Sequence, residues 1–419
     1  MSKGRHSAGG APGKKGRAAL MIVCIILAVA AVGTVIYALW ERPPLIEPAP
    51  ISTETPSTAE KTDPVSDEKE KPADLTDVDH EEDISGAPLN ADRSSGAYTF
   101  LLVGRDQASN STDTIIVGRM DTKTHSVRCV NIPRDTLINI TWANTPKKIN
   151  AVYPGFVNSG KSGIDGLKEQ IRNLLGFDVD CYAVVSIQAV EEAVDCIGGV
   201  WFDVPVDMNY WDPTQNLSIN ISKGYQLLDG ENAVKVCRFR NTYAGGDIQR
   251  IGVQQSFLKA AAEQMLSLGN IPNLGNLVDI LVKNTDTDLS AANIAWFARQ
   301  FLQCDKENIS FETMPFSSAP LINGVSFVSV DTAAWLTMVN EKLNPYVEPV
   351  TAENMNLLTC DSTGTVVKAS SGVIAGGPDA FYCLNCTVKT GKATHHLPGC
   401  CPQDAPAPAE EAEPAPADN

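Results

Sequence analysis

The chain has 419 residues, enough for one large domain or two ordinary ones. It carries 33 basic and 50 acidic side chains, and its formal net charge is −17. This excess of negative charge, with the only basic run confined to residues 1–17, argues against binding of nucleic acid.

The N-terminus has the pattern of a membrane anchor. Residues 1–17 contain basic side chains and no acidic ones, and residues 18–40 contain no charged side chain. A helix over 18–40 is about 34 Å long, enough to cross a hydrocarbon core of about 30 Å. The basic flank predicts a single-pass protein of the cell membrane. Its tail at 1–17 lies in the cytoplasm beside anionic headgroups, and everything after residue 40 lies outside the cell.

A cleaved signal peptide is the alternative reading of this segment. Signal peptides usually have a shorter apolar region followed by a cleavage site of small residues. The sequence YALWERPP, at the end of the apolar run, offers no such site. The pattern therefore favours an uncleaved transmembrane helix at 18–40.

Two segments have the composition of disordered chain. Residues 41–96 are rich in Pro, Thr, Ser, Asp and Glu and poor in aromatic residues, so they cannot bury enough apolar surface to offset the entropy lost on ordering. We interpret them as a flexible acidic linker with a root-mean-square span of about 40 Å. Residues 402–419 are acidic and rich in Pro and Ala, which predicts a disordered tail.

Between these segments, strand and helix patterns alternate. The short β-rich runs are YTFLLVG, TIIVGRM, HSVRCVNIP, CYAVVSI, VWFDVPV and ISFETMPF. The segments with helical period are SGIDGLKEQIRNLLG, AVEEAVDCIGG, VQQSFLKAAAEQMLSLG, SAANIAWFARQFLQ and DTAAWLTMVNEKL. The alternation predicts a layered α/β fold with one central sheet, in a domain that covers 97–348.

The cysteines outside the membrane segment fall into groups. Those in apolar runs are predicted to be buried small hydrophobic side chains; they are Cys129, Cys181, Cys196 and Cys237. A Cys-rich segment at 349–401 ends with four that lie near two histidines: Cys383, Cys386, Cys400 and Cys401. Outside the cell, disulfides are the first expectation for these four. A zinc site, which the adjacent last pair fits badly, and free thiols in an oxygen-poor organism are the alternatives.

Charged side chains collect at the ends of predicted strands, where α/β folds place their sites. They belong to the sequences GRDQ, STDT and NIPRDT and to the stretch VKVCRFRNTYAGGDIQRIGVQQ. The set is Asp106, Asp113, Arg134, Asp135, Arg238, Arg240, Asp247 and Arg250. Singly, such pairs are most often surface ion pairs worth under about 1 kcal/mol.

Together, these side chains are suited to a phosphate-rich anion. A guanidinium binds a phosphate through two parallel hydrogen bonds and stays charged at physiological pH. Two carboxylates close together repel each other unless a cation lies between them, so Asp106 and Asp113 are the expected ligands of a magnesium ion. Asp135 and Asp247 are left to orient arginines or to accept a proton. The residues alone thus predict an anion-binding α/β domain.

The order and spacing of the segments resemble those of the LytR-CpsA-Psr family of bacterial cell-envelope proteins. The resemblance rests on LLVGRD, STDTIIV, VNIPRDT, KKINAVYPGF, NLLGF, AVEEAVDCIGGVWFDVPV, GYQLLDGENAVKVCRFR and GGDIQRIGVQQSFLKA. It covers about residues 97–265 and extends more weakly to about 348. It implies an α/β/α sandwich with one central mixed β-sheet and an apolar groove for a lipid tail.

The family's activity is implied in the same way. A member of the family would be a magnesium-dependent phosphotransferase. It would move an anionic glycopolymer, of the teichoic acid or capsule type, from a polyprenyl-pyrophosphate carrier to peptidoglycan and join the two as a phosphodiester. By this resemblance magnesium would be held by Asp106 and Asp113. The pyrophosphate would be bound by Arg134, Arg238, Arg240 and Arg250. The catalytic residues would be Arg134, Arg238, Asp135 and Asp247, with one of the two aspartates activating the incoming sugar hydroxyl.

Two positions depart from the family pattern. The family often has an arginine shortly before the second magnesium-binding aspartate, where this chain has Asn110, Ser111 and Thr112. It often has another three residues after the position of Arg250, where this chain has Val253. We expect the loss of two cations to change the preferred substrate or to lower the rate.

Two arginines are candidates to compensate for that loss. Arg105 and Arg119 lie nearby in the sequence, although Arg119 is equally well explained as a solvated strand residue. Two alternative functions also stay open: a non-catalytic envelope scaffold or regulator that binds polyprenyl phosphates, and a hydrolase in which water replaces the glycan hydroxyl.

Overall fold

The computed structural model of the protein describes residues 43–44, 86, 89, 91–105, 112–140, 148–213, 217–239, 246–267, 274–322, 325–362 and 367–375. The predicted transmembrane helix at 18–40, most of the predicted linker, the four C-terminal cysteines and the tail at 402–419 lie outside these residues. Within the ranges given, no helix has both the length and the apolar character needed to cross a bilayer. The membrane anchor therefore stays a prediction.

The secondary structure alternates as the sequence predicts. In chain order the strands are β1 (Ala97–Arg105), β2 (Thr112–Asp121), β3 (Ser126–Ile132), β4 (Cys181–Val185), β5 (Val200–Val204), β6 (Met208–Asp212), β7 (Leu217–Ile221), β8 (Gly224–Leu228), β9 (Thr285–Thr287), β10 (Ile309–Thr313), β11 (Phe316–Ser318), β12 (Leu321–Ile322), β13 (Val325–Ser326), β14 (Ser329–Val330), β15 (Leu358–Cys360) and β16 (Val367–Ala369).

The helices lie between these strands. They are α1 (Val152–Asn158), α2 (Gly163–Leu175), α3 (Ile187–Cys196), α4 (Gly230–Arg238), α5 (Gly246–Ser267), α6 (Leu274–Asn284), α7 (Ala291–Leu302) and α8 (Thr332–Met338). A π-helical turn over Val339–Leu343 continues α8. Several helices begin where a side-chain oxygen accepts a backbone N–H of the first turn, as Ser162 does for α2 and Asp229 does for α4.

A six-stranded mixed sheet forms the centre of the fold, in the order β10-β3-β2-β1-β4-β9. β1 is parallel to β4, β3 is parallel to β10, and β2 is antiparallel to both β1 and β3. The carboxyl ends of β1, β3, β4 and β10 therefore lie along one edge of the sheet, where β2 begins. We call this the carboxyl edge.

Helices cover both faces of this sheet. On one face, side chains such as Leu101, Val117 and Ile132 are fully buried against α1, α2, α8 and the π-helical turn. Trp335 of α8 is buried there and donates its indole N–H to the carbonyl of Leu174 at 2.8 Å. On the other face, Ile116 packs in a cluster with side chains of α5 and α7. The result is an α/β/α sandwich with a mixed sheet, as the resemblance implies.

One predicted strand, VWFDVPV, lies outside the central sheet. It forms β5, which pairs antiparallel with β8, and a second two-stranded sheet joins β6 to β7. Together with α3, α4 and α5, these strands enclose a separate apolar cluster that contains Phe202, Phe239 and Phe257. Alternation of buried and exposed side chains identifies a strand but not its partner, which explains the difference.

The folded part extends beyond 97–348 at both ends. Asp180 accepts hydrogen bonds from the side chain of Arg93 and from the backbone N–H and hydroxyl of Thr99, at 2.5, 2.7 and 2.9 Å. Near the other end, the buried Asn139 side chain hydrogen-bonds the backbone of Val373 and Ala375 at 2.9 and 2.8 Å. Arg93, Val373 and Ala375, which lie outside 97–348, are thus fixed to the folded part by hydrogen bonds to buried side chains.

Candidate active site

The predicted site residues that the structure describes lie at the carboxyl edge or on elements that reach it. Arg105 is the last residue of β1, and Arg134 and Asp135 follow β3 by way of Pro133. Arg105 pairs with Thr112 across a bulge between β1 and β2. These two paired residues directly precede Asp106 and Asp113 in the sequence. A bulge at this point turns the last side chain of β1 away from the regular ladder.

A chain of alternating charges forms the centre of the site. Arg134 donates from Nη1 to Oδ1 of Asp113 at 2.9 Å, and its Nε lies 3.8 Å from Oδ2 of Asp135. Asp135 accepts a second contact, from the Nζ of Lys148, at 2.8 Å. These side chains are half-buried, so the attraction between them is stronger than it would be at an open surface. They remain accessible to a ligand.

The backbone at this turn is held by several independent hydrogen bonds. The buried Thr136 hydroxyl donates to the carbonyl of Pro133 at 2.6 Å. The backbone N–H of Asn150 donates to the carbonyl of Arg134 at 3.1 Å, and that of Ile149 donates to the carbonyl of Thr136 at 3.0 Å. Lys148 directly precedes Ile149 and Asn150, so the contacts that fix Arg134 also position Lys148 beside Asp135.

The two candidate compensating arginines have different positions. Arg105 donates to the hydroxyl of Tyr153 at 3.2 Å and lies over its ring, so its guanidinium is held at the carboxyl edge. Arg119 instead hydrogen-bonds Asp121 at 2.9 Å, at the opposite end of β2. Arg119 lies six positions after Asp113, which is about 20 Å along the strand. Arg119 is therefore too far from Asp113 to compensate at the site. Its side chain is 20% exposed and lies beside Asp121, so it is a partly buried strand residue rather than a fully solvated one.

Two neighbouring glutamines of α5 place the helices that carry Arg238 and Arg250 near the same edge. Gln255 donates to the hydroxyl of Thr313, the last residue of β10, at 2.8 Å. Gln254 donates to the carbonyl of Cys237, which precedes Arg238 at the end of α4, at 2.9 Å. One turn of α5 thus contacts the end of α4 and the carboxyl end of β10. Arg250 precedes this turn on α5, and its side chain is only 3% exposed.

Three predicted site residues cannot be placed at the side-chain level. Asp106 and Arg240 lie outside the described residues, and Asp247 is described only as part of the backbone of α5. The helix α5 begins at Gly246, whereas the helical pattern in the sequence begins at Val253, so Arg250 lies within the helix and not before it.

Val253 occupies an apolar environment. It is buried in the cluster that contains Phe239 and Phe257. A charged side chain at this position would lose its hydration unless a partner compensated for it. The valine therefore completes local packing and supplies no cation to the site.

The donor chemistry of the carboxyl edge fits a magnesium ion. Magnesium usually keeps several waters and binds through one or two carboxylates together with phosphate oxygens. Asp113 provides one half-buried carboxylate, and the pairing of Arg105 with Thr112 brings together the strand ends that precede both predicted ligands. Among the residues that the structure describes, no group of three or more His, Cys, Asp or Glu is arranged to hold a metal ion. A two-carboxylate site does not require such a group.

Sequence reasoning missed several residues of this site. Lys148 and Tyr153 lie in KKINAVYPGF, a segment that contributed to the resemblance but to which no role was assigned. Gln254 and Gln255 lie in a helix whose periodicity indicates burial but not which strand end a polar side chain reaches. The only sequence signal for Lys148 is its place in that motif, directly before a buried isoleucine.

Comparison with known proteins identifies relatives with cell-wall functions. Cell wall biosynthesis protein LcpA of Corynebacterium glutamicum is 30% identical over 257 residues, which cover 55% of this chain and 48% of the relative. TagV of Bacillus subtilis, named polyisoprenyl-teichoic acid–peptidoglycan teichoic acid transferase, is 29% identical over 200 residues, 46% of this chain and 50% of the relative. A TagU from Oceanobacillus iheyensis, with the same activity in its name, is 28% identical over 196 residues. These residues cover 46% of this chain and 59% of the relative. The chain thus spans about half the length of the curated relatives it matches.

Two solved structures share the fold. The crystal structure of B. subtilis TagV matches with a TM-score of 0.50 at 22% identity, covering 59% of this chain and 96% of that one. Protein gbs0355 of Streptococcus agalactiae also matches with a TM-score of 0.50, at 20% identity, and the match covers 58% of this chain and 86% of that one. The model of the LytR_cpsA_psr family matches residues 52–344. Because this match covers well over half of the sequence, the chain belongs to the LytR-CpsA-Psr (LytR_cpsA_psr) family.

Proposed function

We propose that the protein is a membrane-anchored phosphotransferase that moves an anionic glycopolymer from a polyprenyl-pyrophosphate carrier to peptidoglycan, forming a phosphodiester. The observation that carries the proposal is the Asp113–Arg134–Asp135–Lys148 chain at the carboxyl edge. The names of the TagU and TagV relatives support it, since both are teichoic acid transferases to peptidoglycan.

The arginines would bind the pyrophosphate. Arg134 is held by Asp113 and Asp135, so its planar fork is oriented before a substrate arrives. Arg238, Arg240 and Arg250 are the further candidates, and α5 brings two of their elements to the same edge. In such a partly dry site a guanidinium stabilises phosphate charge more strongly than it does in water. Asp106 and Asp113 would hold a magnesium ion, which neutralises phosphate charge when bound.

The reaction proposed is an in-line displacement at phosphorus. A hydroxyl oxygen of the peptidoglycan glycan forms a bond to the phosphorus that carries the polymer. The bond from that phosphorus to the bridging oxygen breaks, and polyprenyl phosphate leaves with the electron pair. The hydroxyl proton passes to a carboxylate.

The contacts of Asp135 divide the roles of the two candidate carboxylates. Asp135 is already engaged by Lys148 and Arg134, which suits a residue that orients the arginine. Asp247, on the first turn of α5, is then the proposed proton acceptor. This division follows from the partners of Asp135 and is testable by comparing the pH–rate profiles of the two asparagine variants.

An apolar layer on one face of the central sheet suits the polyprenyl tail. Between the sheet and helices α5 and α7, several large side chains are only partly buried: Phe100, Leu102, Phe297, Phe301 and Phe311. The opposite face of the sheet, in contrast, buries Leu101 and Val103 completely. The looser face is where we place the lipid, and the phenyl ring of Phe100 there lies over Gly118, which has no side chain to block it.

The test uses the full-length protein in detergent, a synthetic polyprenyl-pyrophosphate-linked saccharide, magnesium and purified peptidoglycan. Transfer is measured as saccharide that becomes covalently bound to peptidoglycan, and polyprenyl phosphate release is measured in parallel. We expect release that depends on the acceptor and equals the amount transferred. Arg134→Ala should abolish both, while Arg119→Ala, which removes an arginine paired at the far end of β2, should leave both unchanged.

Each alternative function gives a different result in this assay. A hydrolase would release polyprenyl phosphate equally without peptidoglycan. A scaffold or regulator would bind the donor and release nothing. Normal transfer by Arg134→Ala would remove the charge chain from the mechanism. Localisation outside the cell follows from the predicted anchor and is tested by protease accessibility of the domain in intact cells.

A further inference from the structure

A second surface feature lies beside the candidate active site. A groove of about 890 Å³ runs between the β5–β8 pair and one side of α5. Its lining includes Gly252, two residues after Arg250, and continues along α5 to Ser267. Fifteen helical residues correspond to about 22 Å, so the groove leads away from the part of α5 that reaches the carboxyl edge.

Two aromatic rings form an exposed platform in this groove. Trp201 of β5 is 50% exposed and Tyr225 of β8 is 70% exposed. Their ring centroids are 5.4 Å apart and their planes differ by 18°, so the rings are stacked. Burying a large apolar side chain is worth about 1.5–3 kcal/mol, and two that stay exposed side by side indicate a surface with a binding role.

Local structure fixes this platform in place. Buried Phe202 alternates with exposed Trp201 and Asp203 along β5, so the outward direction of the tryptophan follows from the strand. Gln264 of α5 accepts a hydrogen bond from the backbone N–H of Trp201 at 3.1 Å and donates to the carbonyl of Gly199. The helix and the strand are thereby joined along the groove.

The polar lining selects against anions. Asp203 and Glu263 supply carboxylates and Ser256 supplies a hydroxyl, whereas the described lining residues include no lysine or arginine. A phosphate-rich polymer, or a surface of anionic lipid, would be repelled by these carboxylates. An uncharged sugar chain meets the opposite conditions, because its C–H faces stack on aromatic rings and its hydroxyls donate to carboxylates.

We infer that this groove binds the uncharged pyranose chain of the acceptor glycan. The inference rests on the proposed function for the identity of the acceptor. The groove delivers the glycan along α5 towards Arg250 and the carboxyl edge, where a hydroxyl meets the phosphorus. The anionic donor and the neutral acceptor thus occupy surfaces of different charge, and Trp201 and Tyr225 determine affinity for the acceptor alone.

The direct test is binding of an uncharged β-1,4-linked N-acetylglucosamine tetramer to the full-length protein in detergent, measured by calorimetry. We expect Trp201→Ala and Tyr225→Ala to weaken binding by at least ~10-fold, which corresponds to about 1.4 kcal/mol. Trp201→Phe should retain most of the affinity. Trp211→Ala is the matched control, since Trp211 is 61% exposed on β6 and does not line the groove. Poly(glycerol phosphate) should not compete with the tetramer.

Kinetics provide the second arm. In the transfer assay, Trp201→Ala should raise KM for the acceptor about 10-fold and leave kcat unchanged. Equal tetramer binding by wild type, Trp201→Ala and Trp211→Ala, or no binding by wild type, would overturn the inference, as would displacement of the tetramer by the polyanion. If wild type binds the tetramer as expected but transfers nothing, the groove stands as a glycan site and the proposed reaction fails.

Discussion

Lys148 provides the sharpest test of the charge chain, because it is the member that sequence reasoning missed. Its Nζ lies 2.8 Å from Oδ1 of Asp135, and the two side chains are 17% and 23% exposed. At an effective dielectric constant of about 20, this pair gains about 6 kcal/mol of Coulomb energy before desolvation and side-chain entropy are subtracted. An exposed ion pair contributes about 0.2–1 kcal/mol, and removal of one partner of a buried pair costs about 3–5 kcal/mol. This pair lies between those cases, so we expect Lys148→Met to destabilise the protein by about 1–2 kcal/mol.

The effect on transfer should be larger than the effect on stability. Without Lys148, the ion-pair contact of Asp135 that remains among the described residues is the one with Arg134 at 3.8 Å. Asp135 can then rotate towards Arg134, which changes the direction of the guanidinium. Misplacement of a positioning group by about 1 Å can reduce a rate about 100-fold, so we expect kcat to fall about 10- to 100-fold. The melting temperature should fall by about 2–8 °C. Differential scanning fluorimetry and the transfer assay measure the two effects.

A matched lysine separates these effects. Lys342 forms a more exposed ion pair with Glu312, 29% and 31% exposed, on the side of the sheet covered by the π-helical turn. Lys342→Met should lower stability by a similar amount and leave kcat unchanged. If Lys148→Met and Lys342→Met lose equal stability and both retain full transfer, the charge chain is structural and the assignment of Arg134 loses its support.

Three further predictions follow from contacts already described. Arg134→Lys keeps the charge but cannot contact Asp113 and Asp135 through two separate nitrogens, so transfer should fall by at least ~10-fold with donor binding retained, as measured by kinetics and calorimetry. Asp180→Ala leaves Arg93 and the buried polar groups of Thr99 without their shared acceptor. The free energy of unfolding, measured in urea, should therefore fall by about 3–5 kcal/mol, and a fall below about 1 kcal/mol would contradict this role of Asp180. Burial raises the pKa of the Cys129 thiol to about 12. An unfolded thiol has a pKa of about 8.5, so the stability that this neutral thiol contributes is complete below pH 8.5 and declines as pH rises towards 12. Cys129→Ser should make the free energy of unfolding less dependent on pH in that range. Cys129 should resist alkylation at pH 9 until the protein unfolds.

The alternation of strands and helices could be predicted because each element has its own period in the sequence. Tyr98 to Gly104 alternate between half-buried and buried positions, and this pattern also placed Asp113, Arg134 and Asp135 at strand ends. Residues at strand ends that share one edge of a sheet lie close together, so their proximity could be predicted from the strand pattern alone. Contacts between distant segments carry no comparable signal, which is why Lys148 could not be assigned to Asp135.

The start of α5 shows a different limit of sequence reasoning. The Gly-Gly pair before Asp247 is typical of a loop, yet the helix begins at Gly246. Its first turns lead into Gln254 and Gln255, whose bonds to Cys237 and Thr313 fix the helix against α4 and β10. Tertiary contacts outweigh local propensity here, and they extend the helix towards the N-terminus so that it includes Arg250.

The contact between Arg93 and Asp180 has a mechanical consequence. Asp180 precedes β4, so this contact lies at the edge of the sheet opposite to Arg134, about 26 Å away along β1. Backbone bonds from Ser94 to Pro345 and from Val347 to Asp92 share the same attachment. A pull on the predicted N-terminal linker would therefore load these contacts before it could strain β1. The predicted site residues would then keep their spacing whether the predicted linker is slack or stretched, and the proposed reaction would not depend on the distance between the domain and its anchor.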